Sequence, residues 1–163
     1  MGDLFVMMGV PGSGKTTLAK KLVEDKPNTV RVSRDDIRFS LLEKGDEYFA
    51  KEDKVFKTFT ETIDKYLAEG KNVIADATHL NWGSRKKLIN NLTVKPDQIL
   101  IVYVKVPLEK ALKQNELRKG TKSYVPPEVI KNMWESLKPP AVYENDFYYE
   151  VDENEKITLI NLY

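Results

Sequence analysis

The sequence predicts a three-layer α/β domain with a mostly parallel sheet of about five strands, covered by helices on both faces. Two observations predict it. Short apolar or β-branched runs alternate with stretches of helical spacing along the chain. A glycine-rich run at residues 9–17 joins the first apolar run to the first helical one, as a strand-to-helix turn does in a parallel sheet. Right-handed crossovers are expected, with ligands beyond the carboxyl ends of the strands.

The elements follow in order. "LFVMM" at 4–8 is apolar throughout, the pattern of a strand buried on both faces. "KTTLAKKLVE" at 15–24 spaces Leu18, Ala19, Leu22 and Val23 as one helical stripe. "TVRVS" at 29–33 alternates and is β-branched, a second strand. "RDDIRFSLLE" at 34–43 is helical, with Ile37, Leu41 and Leu42 on one side. "KEDKVFKTFTETIDKYLAEG" at 51–70 sets Val55, Phe59, Ile63 and Leu67 four apart, and Gly70 suits its stop. "NVIADA" at 72–77 is a third strand, "SRKKLINNL" at 84–92 a helix and "QILIVYVKV" at 98–106 a fourth strand. "PLEKALKQNELRKG" at 107–120 and "PPEVIKNMWESL" at 126–137 open on proline, which suits a first helical turn. "KITLINL" at 156–162 is the last strand. The aromatic tail at 141–156 is expected to cover the sheet edge, with docking of a partner as the alternative.

The 163 residues fit one domain, 1–163, with a single core. No segment has the length and apolarity of a transmembrane helix, and the start "MGDLF" has no secretion-signal pattern. The chain has no cysteine, which excludes disulfides, thiolate zinc sites and cysteine nucleophiles. These features lead to the expectation of a soluble, cytoplasmic protein with no membrane partner. The net charge of +1 supplies no whole-molecule attraction to nucleic acid, so any such attraction has to come from local patches. Oligomeric state is not legible.

Gly9-Val10-Pro11-Gly12-Ser13-Gly14-Lys15-Thr16 matches the phosphate-binding pattern G-x-x-x-x-G-K-[ST], with Thr17 following. Glycines let the backbone wrap close to phosphate, and the helix that opens at Lys15 adds its positive end. Lys15, read as an exposed loop lysine, can reach the β- and γ-phosphates of ATP, and Thr16 can hold Mg²⁺.

Whether the terminal phosphate goes to water or to an acceptor turns on three other stretches. Asp76 ends a strand and could join the magnesium shell. Ala77 stands where many motor ATPases carry a water-activating glutamate. The alternative is that Asp76 only caps a turn. Asp35, Asp36 and Arg38 arrive together after the second strand, where a carboxylate could accept the proton of an attacking hydroxyl. The alternative is a helix-capping cluster. "KALKQNELRKGTK" at 110–122 is basic and could form a lid, approximately 113–125, over the phosphates, or else a solvated face.

The phosphate loop, "RDDIR", "DATHLN" with "SRKK", and "QNELRKGTKSYVP" with "MWESL" together resemble the kinase domain of phage-type polynucleotide 5′-hydroxyl kinase. The resemblance runs from about Gly9 to Pro140. It implies an adenylate-kinase-like P-loop kinase fold with a basic helical lid, and ATP- and Mg²⁺-dependent phosphorylation of the 5′-hydroxyl of DNA or RNA. It makes Lys15 and Thr16 the phosphate-loop pair and Asp35 the general base. It makes Arg38 the contact to the acceptor phosphate and Arg118 the lid arginine on the transferring group. An extra residue before Gly120 brings Lys119 into competition with Arg118, and Asp76 stands one residue before the family's acid. No phosphatase half is expected. The rivals are a small-molecule kinase for a nucleoside, sugar or antibiotic, and a P-loop ATPase switch. His79, Trp82 and Trp134 are expected to be structural, and the basic residues at 85–87 to add weak backbone contacts.

Overall fold

The strand β1 (Leu4–Met8) has no polar side chain to offer water, and it lies at the centre of the sheet with all five residues buried. The computed structural model describes residues 2–162; Met1 and Tyr163, the ends of the expected domain 1–163, lie outside the described residues. After β1 come α1 (Lys15–Asp25), β2 (Thr29–Ser33), α2 (Arg34–Leu41), α3 (Glu52–Ala68) and β3 (Asn72–Asp76). Then follow α4 (Trp82–Asn91), β4 (Ile99–Val104), α5 (Leu108–Glu116), α6 (Pro127–Ser136), β5 (Phe147–Val151) and β6 (Ile157–Ile160).

The sheet has the order β2-β3-β1-β4-β5-β6. Its first five strands are parallel, and β6 runs antiparallel to β5 at the edge. Alternate residues of β1 point to opposite faces, as the strand period requires. Leu4, Val6 and Met8 meet Phe59, Ile63 and Leu67 of α3 and Leu88 of α4. Phe5 and Met7 meet Ala19 of α1, Ala111 of α5 and Ile130 of α6. This is the three-layer domain that the alternation predicts.

Three details differ from the expectation. The sheet has six strands, because 147–151 of the aromatic tail is itself a parallel strand paired with β4. Its Tyr148 and Val151 are buried, and aromatic residues fit a pleated surface well. The tail therefore builds the sheet rather than covering its edge. Helix α4 starts at Trp82, two residues early, because Asn81 and Ser84 cap each other reciprocally. Helix α5 stops at Glu116, so residues 117–123 of the lid are turns rather than helix. The cause is the buried side chain of Asn115. It donates to the Val125 carbonyl at 2.6 Å and accepts from the Val125 N–H at 3.0 Å, drawing the chain back on itself.

Candidate active site

The carboxyl ends of β1, β2 and β3 open into one cavity of about 790 Å³. The phosphate loop forms its floor. Gly12 has φ +84° and lies so close to α5 that a Cβ would come within 2.3 Å of the Ala111 carbonyl oxygen, so only glycine fits. Gly9 donates its N–H to the Thr78 carbonyl at 3.0 Å, which ties the start of the loop to the segment after β3. Pro11, Gly12, Gly14, Lys15 and Thr16 line the cavity. Gly9 and Ser13 stand behind this wall; Thr17 is exposed and faces a shallow cleft with Ile157 instead. The Ser13 hydroxyl is buried and without a hydrogen-bond partner.

Lys15 is not an exposed loop lysine: it is 8% accessible, and its ammonium donates to the Val10 carbonyl of its own loop at 3.0 Å. Burial, against the attraction of Asp76 and Asp35, lowers its pKa from 10.5 to about 8.

Asp76 closes β3 and is buried. Its Oδ2 accepts from Thr16 Oγ1 at 3.2 Å and from Arg31 Nε at 2.8 Å. The carboxylate thus joins the loop hydroxyl across the cavity floor rather than capping a turn. This hydroxyl–carboxylate pair beside the phosphate loop fits Mg²⁺, which favours few protein oxygens plus substrate phosphates. Among the described residues no cluster of three or more His, Cys, Asp or Glu forms an all-protein metal cage.

The "RDDIR" stretch sorts itself into three jobs. Ser33, not an aspartate, caps α2 by accepting from the Asp36 N–H at 3.1 Å. Asp36 pairs outward with Arg31 at 3.2 Å. Asp35 is about half exposed on the cavity wall. Its Oδ1 accepts from the Tyr48 hydroxyl at 2.6 Å and from Arg38 Nη1.

Arg38 is buried, and its donors are committed. Nε donates to Glu52 Oε1 and Nη2 to Glu52 Oε2, both at 3.0 Å. Nη1 serves Asp35 and the Tyr48 hydroxyl. Glu52 also accepts from Arg34 at 3.1 Å. One carboxylate at the start of α3 therefore pairs with two arginines of α2, and Asp35 adds a second negative charge beside Arg38.

The lid side is simpler. Arg118 and Lys122 line the cavity, while Lys119 is exposed and outside its wall. Among the described residues neither Arg118 nor Lys122 has a carboxylate partner; Lys122 Nζ lies 6.0 Å from the centre of the Phe39 ring. Within 85–87, Arg85 is buried and bound to Glu144 at 2.7 Å, so it braces α4 against the C-terminal region and is withdrawn from any surface contact. His79 is buried at φ +41°, with Nδ1 on the Met7 carbonyl at 2.7 Å. Trp134 packs into the core, and Trp82 donates its indole N–H to the Pro139 carbonyl at 2.9 Å.

Arg31, Arg34, Tyr48 and Glu52 escaped the reading of the sequence. Arg31 looks like the polar half of an alternating strand, and Glu52 like an acid in a first helical turn. Tyr48 sits in a connection without periodicity. No local signal marks any of them as part of a site.

A family model described as an AAA domain matches residues 4–140. The chain is 30% identical over 162 residues to the L-seryl-tRNA(Sec) kinase of Methanococcus maripaludis, covering 94% of this chain and 60% of that protein. It is 29% identical over 167 residues to a protein of Autographa californica nuclear polyhedrosis virus named as a bifunctional polynucleotide kinase/RNA ligase, covering 94% of this chain and 23% of that protein. The chain thus spans less than two thirds of the length of these curated relatives. A chain in the structure of the Pnkp1/Rnl/Hen1 RNA repair complex superposes with a TM-score of 0.73 at 26% identity, over 83% of this chain and 44% of that one.

Proposed function

Because this chain belongs to the AAA-domain family and has the architecture of a P-loop kinase, we propose that it transfers the γ-phosphoryl group of ATP to the 5′-hydroxyl of a polynucleotide. The observation that carries the transfer reading is the position of Asp35. A half-exposed carboxylate lines the same cavity as Lys15, Thr16 and the lid cation Arg118. Many motor and remodelling ATPases carry a water-activating glutamate right after such an aspartate, and Ala77 in that place weighs against an ATPase. Two relatives that carry tRNA or polynucleotide in their names support a nucleic-acid acceptor.

In this reading the loop N–H groups and Lys15 hold the β- and γ-phosphates. Thr16 and Asp76 would hold Mg²⁺, which would supply positive charge against the phosphates. Asp35 orients the acceptor hydroxyl and takes its proton. Arg118 neutralises charge on the transferring group, a contribution of ~10³-fold or more for an arginine of this kind. Arg38 stands on the acceptor side. Its donors are already shared among Glu52, Asp35 and Tyr48, so it acts through Asp35. Lys122, at the cavity wall and without a carboxylate partner among the described residues, is a cation that an acceptor phosphate can meet.

The commitment of Arg38 favours a second reading, in which the acceptor carries no phosphate near its hydroxyl, as a nucleoside, sugar or antibiotic does. The deciding experiment is label transfer from γ-labelled ATP to 5′-hydroxyl oligodeoxynucleotides, oligoribonucleotides, nucleosides and sugars offered in parallel. The polynucleotide reading expects an oligonucleotide to have the highest kcat/KM. A nucleoside or sugar as the best acceptor replaces it with the second reading, and phosphate released only to water removes both.

A further inference from the structure

The two oxygens of Asp35 have different surroundings. Oδ1 accepts from the Tyr48 hydroxyl and from Arg38 Nη1, whereas among the described residues no side chain or backbone group bonds Oδ2. Tyr48 comes from the connection between α2 and α3, thirteen residues further along. Its ring is held from several sides. The Arg38 guanidinium carbon lies 4.2 Å from the ring centre. Phe39 and Phe49 meet the ring edge to face at 6.2 and 4.6 Å. Burial, and then the Asp35 carboxylate, push the phenol well above its ordinary pKa, so it keeps its proton and donates.

We propose that Tyr48 is a positioning residue: with Arg38 it pins Oδ1 of Asp35, so that Oδ2 is the oxygen presented to the acceptor hydroxyl. A carboxylate turns easily about its terminal torsion, which is broad and two-fold. Two donors on one oxygen remove that freedom before the acceptor arrives, and such pre-orientation lowers the barrier to reaction. In the step itself the acceptor oxygen bonds to the γ-phosphorus. The bond from that phosphorus to the β–γ bridging oxygen breaks and leaves ADP, and the acceptor proton passes to Oδ2. Tyr48 keeps its own proton throughout and touches neither substrate.

The proposal rests on the reading of Asp35 as the proton acceptor. Its test compares wild type, Tyr48→Phe, Asp35→Asn and the double variant. Each is assayed for kcat and KM with the best hydroxyl acceptor and with water as acceptor. Tyr48→Phe keeps the ring and its packing, and circular dichroism and the melting temperature check that the fold is intact. The expected result is a kcat lower by about 10- to 100-fold, the worth of a hydrogen bond to a charged group. KM for ATP stays unchanged. In the Asp35→Asn background Tyr48→Phe has no further effect, because no carboxylate remains to be held. A Tyr48→Phe enzyme as fast as wild type or faster, with Asp35→Asn impaired, overturns the positioning role alone. Losses that multiply in the double variant also overturn it. An Asp35→Asn enzyme with wild-type rates on every acceptor removes the general-base reading first, and the role of Tyr48 with it.

Discussion

Thr16 Oγ1 lies 3.2 Å from Asp76 Oδ2, although 60 residues separate them in the chain. The parallel sheet makes this contact. β1 and β3 are parallel neighbours, so the loop that leaves one and the carboxylate that ends the other arrive at the same carboxyl end of the sheet. Arg31 Nε, donating to the same oxygen at 2.8 Å, holds the carboxylate in orientation.

The first prediction follows from that pair. Asp76→Asn raises the Mg²⁺ concentration needed for half-maximal activity on the order of 10-fold or more, as loss of a metal-orienting group does. Metal-free nucleotide binding is retained. Titration of a fluorescent ADP analogue with and without Mg²⁺ reads this directly. An unchanged Mg²⁺ response would take Asp76 out of the metal site and leave it as the partner of Arg31.

The second concerns Lys15, whose pKa is held at about 8 by burial. Bound γ-phosphate adds negative charge beside the ammonium and raises that value. Between the two values ATP binding takes up a proton, so ATP affinity falls as pH rises above about 8. Calorimetry in two buffers of different ionisation enthalpy measures the uptake. Lys15→Ala abolishes the uptake and lowers transfer by roughly 10²-fold or more. Proton release on binding would contradict the assignment.

The third concerns Asp35. Asp35→Asn keeps nearly the size of the side chain and removes its basicity. Transfer falls by about 10²- to 10⁴-fold, the usual general-base contribution, while ATP affinity is unchanged. Because Ser33 caps α2, the melting temperature stays close to wild type. Equal rates at saturating substrates would leave Asp35 only its bonds to Tyr48 and Arg38.

The fourth separates Arg38 from Lys122. Arg38→Ala leaves Glu52 facing Arg34 alone and Asp35 held only by Tyr48, so transfer to a plain nucleoside and to a 3′-phosphorylated nucleoside falls by the same factor. Lys122→Gln weakens only the phosphate-bearing acceptor, and more so at low salt. Measured kcat/KM values in which Arg38→Ala penalises the phosphate-bearing acceptor selectively would return direct phosphate contact to Arg38.

The fifth concerns stability. The Nδ1–H of His79 donates to the Met7 carbonyl, Nε2 is buried without a partner, and burial lowers its pKa from 6.5 to about 4. Unfolded chains protonate near 6.5 while the folded chain resists until about 4. The unfolded state binds more protons in that window, so stability falls as pH falls through it, by about 3 kcal/mol in all. His79→Asn, which tolerates the left-handed backbone, flattens this dependence. Urea unfolding at pH 7 and pH 4.5 measures both slopes, and parallel slopes in the two proteins would exclude His79 as the source.

The alternation of strands and helices and the phosphate loop were legible in the sequence because each depends on neighbouring residues. Periodicity along 4–8 or 51–70 reports a buried face whatever the rest of the chain does, and the spacing from Gly9 to Thr16 is a local backbone shape. The resemblance placed Asp35 and Arg118 at the site by the same contiguity, and both line the cavity. Strand β5 was missed because its aromatic alternation is embedded among acidic and turn residues that mimic a polar tail.

Only tertiary structure decided who meets whom. Arg85 reads as one more surface cation beside Lys86 and Lys87, yet Glu144, 59 residues away, takes it into the interior. Asn115 decides where α5 stops by binding Val125, and so sets Arg118 rather than Lys119 on the cavity. Glu52 and Tyr48 reach Arg38 and Asp35 across the α2–α3 connection and commit an arginine that the sequence leaves available. The physical reason is one and the same. Removing a charge from water is favourable only when an opposite charge or hydrogen-bonding partner awaits it. Those partners are assembled by the closing of the sheet, not by any stretch of neighbouring residues.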